Sequence, residues 1–352
     1  MDSSFGKIFQ LPLKGFLLME KRKLGKYGAE VSAIGIGAMS FSNFYGPTNE
    51  QESHTILAEA LDQGISHIDT ANVYGAGASE AAIGSFLAKQ GSKRNTLFSI
   101  ATKVGIKGNI QTGKTEFDNS PDYLKKELDG SLKRLGVESI DLYYIHRRDQ
   151  NTPIEEVTET LASFVKAGKI RSFGFSEIAP SSLRRAASIH HVAAVQSEYS
   201  LSVRSPELGL VQTTAELGTA LVAFSPLGRS LLTDRPHSAD KVEAMDWLSK
   251  NPRFREPNLN FNIEATGKFR DLAAQYGVAA ATLSIAWLLN RNKHIIPIPG
   301  TRSVKHFLEH CAAARLRLSK EQMSEIEKVL PIGWAQGDRY SDKQWVGPEK
   351  YC

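Results

Sequence analysis

Cysteine is scarce in this sequence: only Cys311 and Cys352 occur among its 352 residues. Two isolated thiols argue against a disulfide-stabilised fold and favour a reducing compartment, so we expect a cytoplasmic protein. Long hydrophobic runs are also missing. No segment reaches the ~18 uninterrupted apolar residues that a membrane-spanning helix requires, so no membrane partner is expected.

An apolar stretch near the N-terminus, residues 8–18, superficially resembles a signal peptide. Pro12, Lys14 and Gly15 interrupt it, and no small-residue cleavage site follows. We therefore interpret residues 1–18 as an extension outside the folded part. Residues 19–352 are expected to form one domain, a length common among α/β barrels, with a C-terminal tail at residues 333–352.

Three further absences narrow the function. The net charge is only +5, and no recognition motif accompanies the basic residues, so nucleic acid is not an expected partner. No zinc-ligand spacing occurs, and no metal site is expected. The triplet Gly75-Ala76-Gly77 begins like a dinucleotide-binding fingerprint, but Glu80 stands in place of its third glycine, which argues against that motif.

Short β-branched or aromatic runs alternate with helix-like stretches along the whole chain. Strict alternation of this kind predicts eight β-then-α units and a parallel sheet. The predicted strands are residues 31–36, 66–69, 97–102, 141–145, 171–175, 193–196, 220–224 and 294–298. A hairpin of residues 21–23 and 30–31 is expected to close the barrel bottom, and long loops at 105–119 and 226–261 are expected at its mouth.

Three of these runs end in an ionisable residue: Asp69, Lys103 and His146. Tyr74 follows Asp69 by five positions, in the next loop. In an α/β barrel the C-terminal strand ends face one common mouth, so residues distant in sequence converge there. Together the four side chains predict a proton-transfer site. Taken singly, Asp69 would more often cap a turn and His146 would more often be a core histidine.

This set, in this order, resembles the aldo-keto reductase family over residues 23–330. Further motifs of the resemblance are Gly35-Ile36-Gly37-Ala38-Met39-Ser40, Gly174-Phe175-Ser176-Glu177, Gln196-Ser197-Glu198-Tyr199, Phe224-Ser225-Pro226-Leu227-Gly228-Arg229 and Ile296-Pro297-Ile298-Pro299-Gly300-Thr301. The resemblance implies a (β/α)8 TIM barrel that uses NADPH. It implies that Tyr74 donates a proton, that Lys103 lowers the pKa of Tyr74, that Asp69 holds Lys103, and that His146 orients the substrate oxygen.

The resemblance also implies which residues bind NADPH. Those matching the nicotinamide and pyrophosphate positions are Gly37, Met39, Ser176, Glu177, Gln196, Phe224, Ser225, Leu227, Gly228 and Ser230. Those matching the adenosine 2′-phosphate and adenine positions are Gly300, Thr301, Arg302, Ser303, His306, Glu309 and His310. Three of them depart from the family pattern, in which Asn is usual at 177, Arg at 306 and Asn at 310. Phe224 could instead be a core side chain.

The first mouth loop offers an apolar substrate wall, expected at Phe41 and Tyr45 with Phe44 between them. Trp334 and Trp345 would either extend this wall or anchor the tail. Arg147 and Arg148 would either favour an anionic substrate or, as the more ordinary interpretation, pair with Glu155 and Glu156 on the surface.

The sequence therefore predicts an NADPH-dependent reductase of aldehydes, with ketones as further substrates, working by direct hydride transfer. Two alternatives remain open. The first is an NADPH-binding accessory subunit with vestigial turnover. The second is a cofactor-free isomerase or lyase in which the Lys103 amine forms a Schiff base. The physiological substrate and the oligomeric state stay open.

Overall fold

The computed structural model describes residues 19–93, 95–109 and 114–352. The predicted extension, residues 1–18, lies outside these ranges. At the N-terminus of the described part, β1 (Lys21–Lys23) and β2 (Glu30–Ser32) pair as an antiparallel hairpin. Leu24 and Val31 from this hairpin pack against the apolar side chains inside the sheet that follows. The predicted closure of the barrel bottom is therefore present.

Eight strands form one parallel sheet in which successive strands are neighbours. They are β3 (Ile36–Gly37), β4 (His67–Asp69), β5 (Ser99–Val104), β8 (Leu142–Ile145), β9 (Phe173–Ser176), β10 (Ala194–Glu198), β11 (Ala220–Phe224) and β12 (Ile295–Pro297). Two further strands, β6 (Ile106–Asn109) and β7 (Lys114–Phe117), form a separate antiparallel hairpin after β5.

The sheet closes into a barrel along a seam between β3 and β12. The amides of Gly35 and Gly37 donate to the carbonyls of Pro297 and Pro299, both at 3.0 Å. The backbones approach so closely that a Cβ on Gly37 would lie 2.6 Å from the Ile298 carbonyl oxygen, and one on Gly300 would lie 2.6 Å from the Gly37 carbonyl oxygen. Only glycine fits at these two positions.

Thirteen α-helices are assigned within the described residues. They are α1 (Glu50–Asp62), α2 (Ala78–Ala88), α3 (Pro121–Leu135), α4 (Ile154–Lys166), α5 (Pro180–Ile189), α6 (Leu210–Leu217), α7 (Ala239–Glu243), α8 (Asp246–Ser249), α9 (Asn258–Ala265), α10 (Gly267–Gln275), α11 (Ala280–Arg291), α12 (Val304–Ala312) and α13 (Lys320–Val329).

The helix boundaries follow local sequence signals. Helix α3 begins with Pro121 at its first position and ends before Gly136, which has a left-handed backbone with φ 68°. Proline and glycine favour those two positions because of their restricted and permissive backbones, respectively. Gly277 ends the segment before α11 in the same way, with φ 70°. Gly277 therefore separates α10 from α11.

Three predicted elements differ from the structure. The predicted strand 31–36 is two strands, because Val31 belongs to the bottom hairpin and Ile36 opens β3. The run is apolar because its side chains are buried both in the hairpin and in β3. The predicted loop 105–119 contains the β6–β7 hairpin, and the predicted loop 226–261 contains the short helices α7 and α8 and the start of α9.

The core has two layers. The larger layer lies between the sheet and the surrounding helices, where α11 is buried from Ala280 to Leu289. The smaller layer fills the barrel interior around Leu142 and Tyr144. No single described helix is long and apolar enough to cross a membrane; only α9–α10 taken together with α11 pass that test, as a pair bent by 86°.

Candidate active site

The mouth of the barrel holds a buried ion pair between neighbouring strands. Lys103 on β5 is fully buried, and its Nζ donates to Asp69 Oδ1 at the end of β4. The same ammonium donates to the Thr70 carbonyl at 2.8 Å and to the Tyr74 hydroxyl at 3.4 Å. Three acceptors therefore satisfy all three N–H groups of the cation.

Asp69 is held on its other side by Gln196 from β10, whose Nε2 donates to Asp69 Oδ2 at 2.8 Å. Burial alone would lower the pKa of Lys103, but the Asp69 carboxylate and the Tyr74 hydroxyl outweigh it and raise that pKa. Lys103 is therefore a stable cation inside a site that contains little water.

Tyr74 lies in the loop after β4, with its backbone fixed by turns on both sides: its amide donates to the Ala71 carbonyl at 3.1 Å and its carbonyl accepts from the Ser79 amide at 3.2 Å. The side chain is 8 % exposed. Burial raises the pKa of the hydroxyl, and the cation of Lys103 opposes that rise without cancelling it. Tyr74 is consequently a neutral phenol that can donate a proton next to a fixed positive charge.

His146 follows β8 and faces Tyr74. Their ring centroids are 5.8 Å apart and the ring planes are nearly perpendicular, at 82°. Burial lowers the pKa of His146 well below its usual value, and Lys103 and Arg147 lower it further. The imidazole is therefore neutral near pH 7. Its Nδ1 is buried and has no hydrogen-bond partner within the described residues.

The sequence-predicted tetrad thus converges at one place. The arrangement contains one weak acid, one fixed cation beside it, one anion that holds the cation, and one neutral imidazole opposite the acid. Such a set can deliver a proton to an oxygen on which negative charge develops. We expect the reacting oxygen to lie between the Tyr74 hydroxyl and the His146 ring.

Residues matching the nicotinamide positions surround this tetrad. Ser176 ends β9, and its hydroxyl accepts from Arg147 Nη1 at 3.2 Å. Phe224 ends β11 and is half-buried against the barrel interior, which leaves part of its ring exposed. Phe224 therefore packs against the core from a strand end, as the alternative interpretation expects, and its role in cofactor binding stays a prediction.

Glu177 is turned away from the tetrad. Its Oε2 pairs with Arg339 Nη2 at 2.6 Å, and its Oε1 accepts from the Glu198 amide at 2.9 Å. Burial would raise the pKa of Glu177, but Arg339 and Arg147 outweigh it and lower that pKa. Glu177 thus serves as an anchor for the C-terminal tail in this structure.

Sequence reasoning assigned no role to the rest of this buried charge cluster. Glu198 pairs with Arg229 at 2.7 Å and with Arg339 at 3.2 Å. The guanidinium groups of Arg229 and Arg339 lie 4.9 and 4.7 Å from the ring centroid of Tyr340. Glu198 and Arg229 occur in the quoted motifs, so their position could have drawn attention. Arg339 and Tyr340 belong to the tail, where no sequence pattern marks them.

The predicted pairing of Arg147 and Arg148 with Glu155 and Glu156 is wrong. Arg147 donates to its neighbour's carbonyl, to Ser176 and to Tyr340. Arg148 pairs with Glu349 of the tail at 3.1 Å. Glu155 pairs instead with Arg185 on α5, at 2.7 Å.

The predicted substrate wall forms an aromatic cluster with a residue from α8. Phe44 and Tyr45 pack against Trp247, with ring centroids 4.7 and 5.3 Å away. Burial raises the pKa of the Tyr45 hydroxyl, and the Arg229 guanidinium opposes that rise. A cavity of about 930 Å3 adjoins the Tyr74 loop and is lined by Phe41, Phe44 and Val73.

The two tail tryptophans have different surroundings. Trp334 donates its Nε1 to the Leu201 carbonyl at 2.8 Å, so it anchors the tail. Trp345 packs edge-on against Tyr340 at 5.5 Å, next to the buried charge cluster. Trp334 also packs against the same buried apolar cluster as Tyr45 and Trp247.

A second group of predicted residues lies at the ends of β11 and β12. After Phe224, the backbone is left-handed at Ser225 (φ 48°) and again from Gly228 to Ser230. Leu227 lies between them and is half-buried. Successive backbone N–H groups in such conformations can form a concave surface for an anion.

The start of α12 follows β12 and holds the remaining predicted residues. Ser303 caps the helix, accepting from the His306 amide at 3.4 Å, and Thr301 Oγ1 accepts from the Ser303 amide at 3.1 Å. His310 is buried and its Nδ1 has no partner within the described residues. A groove of about 640 Å3 between α11 and α12 is lined by Val304, Leu308 and Glu309, among others.

Near the barrel seam, the remaining predicted residues bring β3 and β12 together. Gly37 and Gly300 pack backbone to backbone, and Ser40 Oγ donates to the Thr301 carbonyl at 3.2 Å. Met39 follows Gly37 and is half-buried. The seam therefore brings Gly37 and Ser40 into contact with Gly300 and Thr301.

Comparison with known proteins agrees with this geometry. The model of the aldo/keto reductase family matches residues 33–331. The chain belongs to the aldo/keto reductase family. Over 322 residues it is 39 % identical to an aldo-keto reductase of Schizosaccharomyces pombe whose name includes NADP(+). These residues cover 91 % of this chain and 94 % of the relative.

Two further relatives support the assignment. A probable aldo-keto reductase of Glycine max is 37 % identical over 319 residues, which cover 90 % of this chain and 91 % of the relative. The solved structure of a glycerol dehydrogenase from Gluconobacter oxydans superposes with a TM-score of 0.78 at 26 % identity, covering 92 % of this chain and 98 % of that one. This aldo-keto reductase therefore has the expected (β/α)8 barrel.

Proposed function

We propose that this aldo-keto reductase reduces aldehydes, and some ketones, to alcohols by direct hydride transfer from NADPH. The observation that carries the proposal is the fully buried Lys103 ammonium, which binds the Asp69 carboxylate and the Tyr74 hydroxyl at once. A purely structural ion pair would not require a phenol as a third partner at the mouth of a barrel.

The residues present fit NADPH. The left-handed backbone at Arg229 and Ser230 can present N–H groups to a pyrophosphate, whereas the Gly228 amide already donates to the Ser225 carbonyl at 2.9 Å. The N-terminus of α12 beside Arg302 suits the adenosine 2′-phosphate, because a helix N-terminus favours an anion. The groove between α11 and α12, which Glu309 lines, suits an adenine base. His310 on the same helix is buried, and its Nδ1 has no hydrogen-bond partner within the described residues. The name of the Schizosaccharomyces pombe relative points the same way.

When bound, NADPH supplies the hydride. The protein supplies the proton and the orientation. His146, neutral and opposite Tyr74, would donate a hydrogen bond to the substrate oxygen. Tyr74 would transfer its proton to that oxygen as negative charge develops, and Lys103 would stabilise the phenolate that remains. Asp69, fixed by Gln196, keeps Lys103 in place.

The proposed substrates are apolar aldehydes, aromatic ones included. Phe41, Phe44 and Val73 line the cavity beside the Tyr74 loop, and Tyr45 and Trp247 extend the aromatic surface. Arg147 already donates hydrogen bonds to Ser176 and Tyr340. It should therefore contribute less to binding an anionic substrate than its position next to His146 in the sequence indicates. We further propose a cytoplasmic location, since both cysteines are free.

The test is NADPH oxidation, followed by absorbance, with a panel of aromatic and aliphatic aldehydes and matched ketones. We expect steady turnover with at least one aromatic aldehyde. NADPH binding without turnover would favour the accessory-subunit alternative. Trapping of substrate on Lys103 by borohydride, without NADPH binding, would favour the Schiff-base alternative; the complete use of the Lys103 N–H groups in its three contacts argues against it.

A further inference from the structure

The guanidinium of Arg302 contacts the first mouth loop, far from it in sequence. Its Nη1 donates to the Gly46 carbonyl at 2.9 Å and to the Pro47 carbonyl, and its Nη2 donates to the Tyr45 carbonyl at 2.9 Å. Three successive backbone carbonyls are therefore held by one side chain. We call residues 42–48 the Tyr45 loop.

The guanidinium lies against the loop backbone. A Cβ on Gly46, which has φ 103°, would meet only the two terminal nitrogens of Arg302, at 3.7 and 3.8 Å. The loop has a second support, because Trp247 Nε1 donates to the Phe44 carbonyl at 3.2 Å. Arg302 thus holds one end of the loop, and Trp247 holds the side that carries the aromatic wall.

These contacts use only part of Arg302. Nη1 donates both of its hydrogens and Nη2 donates one. Within the described residues, Nε and the second Nη2 hydrogen have no hydrogen-bond partner, and these two N–H groups form one edge of the planar guanidinium. Such an edge can bind a phosphate with two parallel hydrogen bonds. The loop contacts and an anion contact are therefore compatible.

We infer that Arg302 is a positioning residue for the substrate wall as well as a phosphate ligand, so that cofactor binding and the Tyr45 loop are linked through one guanidinium. The part of the inference that concerns the phosphate rests on the proposed function. The loop half rests on the contacts alone. Because Tyr45 packs against Phe44, with ring centroids 5.6 Å apart, and Phe44 lines the cavity beside the Tyr74 loop, a displaced loop should weaken binding of the aldehyde.

Kinetics with NADH isolates the loop half, because NADH has no 2′-phosphate. Loss of one net charge-assisted hydrogen bond corresponds to roughly tenfold in affinity. Arg302→Ala should therefore raise the aldehyde KM roughly tenfold with NADH as the donor, with a much smaller change in kcat. Lys293→Ala, which removes an exposed cation just before β12, is the matched control and should leave the aldehyde KM unchanged.

A second measurement does not depend on activity. In the cofactor-free protein, the amide hydrogens of Gly46 and Thr48 are bonded to Asn43, at 3.3 and 3.0 Å. Arg302→Ala should make their exchange with solvent roughly tenfold faster, while Lys293→Ala should not. Arg302→Lys keeps the charge but cannot reach three carbonyls, so it should resemble Arg302→Ala in this exchange.

The outcomes separate the inference from the proposed function. Unchanged exchange in Arg302→Ala overturns the inference, and so does an unchanged aldehyde KM with NADH. If the wild-type protein reduces no aldehyde with either cofactor, the proposed function fails, and the exchange measurement alone decides whether Arg302 holds the Tyr45 loop.

Discussion

Replacing Lys103 by methionine should separate the structural and chemical roles of the buried ion pair. The side chains of Lys103 and Asp69 are 0 % and 3 % exposed. Removing one partner of such a pair costs about 3–5 kcal/mol of unfolding free energy, because the other charge stays buried without compensation. After Lys103→Met, Asp69 keeps only the hydrogen bond from Gln196.

The double variant Lys103→Met with Asp69→Asn removes both charges. Replacing a whole buried pair with neutral groups is often close to neutral in stability, so we expect the double variant to recover to within about 2 kcal/mol of wild type. Aldehyde reduction should remain lost in both variants, because neither provides a cation beside Tyr74.

Equilibrium unfolding in urea, followed by circular dichroism, measures these differences. The control is Lys169→Met, which breaks an ion pair with Asp129 whose side chains are 50 % and 52 % exposed. Such exposed pairs contribute about 0–1 kcal/mol. The reasoning is refuted if Lys103→Met costs no more than this control, or if the double variant is no more stable than the single one.

Three other predictions concern the same machinery. Tyr74→Phe should keep NADPH binding and lose about 10²-fold or more of the reduction rate, since the ring stays but the proton donor goes; near wild-type turnover would show that Tyr74 is not the acid. Arg302→Ala should raise the Kd for NADPH roughly ten- to a hundredfold more than that for NADH, as titration of cofactor fluorescence would show; equal losses would mean that Arg302 does not bind the phosphate. Burial lowers the pKa of His146 and that of His310, the latter to about 3, so each binds a proton more readily when unfolded. The unfolding free energy should therefore fall below about pH 6.5, by up to about 1.4 kcal/mol per pH unit for each histidine; a flat profile between pH 6.5 and 5 would contradict this.

The positions of the catalytic candidates could be predicted because they depend on a regular feature. Asp69, Lys103 and His146 each come at the end of a strand-like run, and parallel strands bring such ends to one mouth. The same regularity predicted the order of the strands. The prediction of a single strand at residues 31–36 was wrong, because an apolar run does not show whether its residues belong to one strand or to two.

The charge cluster beneath the tail could not be predicted in this way. Arg339 pairs with Glu198 and Glu177, which are 141 and 162 positions earlier in the chain, and no periodicity relates such distant residues. Nor does the sequence show that burial outweighs the effect of Lys103 on the pKa of Tyr74. Both results depend on how much solvent the folded chain excludes.

The seam between β3 and β12 has a consequence for engineering this enzyme. The loop after β3 carries the aromatic substrate wall, and the loop after β12 carries Arg302. The two loops keep their spacing because Gly37 and Gly300 allow the backbones to touch. The methyl group of an alanine at either glycine would push the first and last strands apart. The two loops would then move apart, although no side chain that faces a ligand had been changed. Substrate range therefore depends on the close backbone contact in the barrel wall as well as on the side chains that line the pocket.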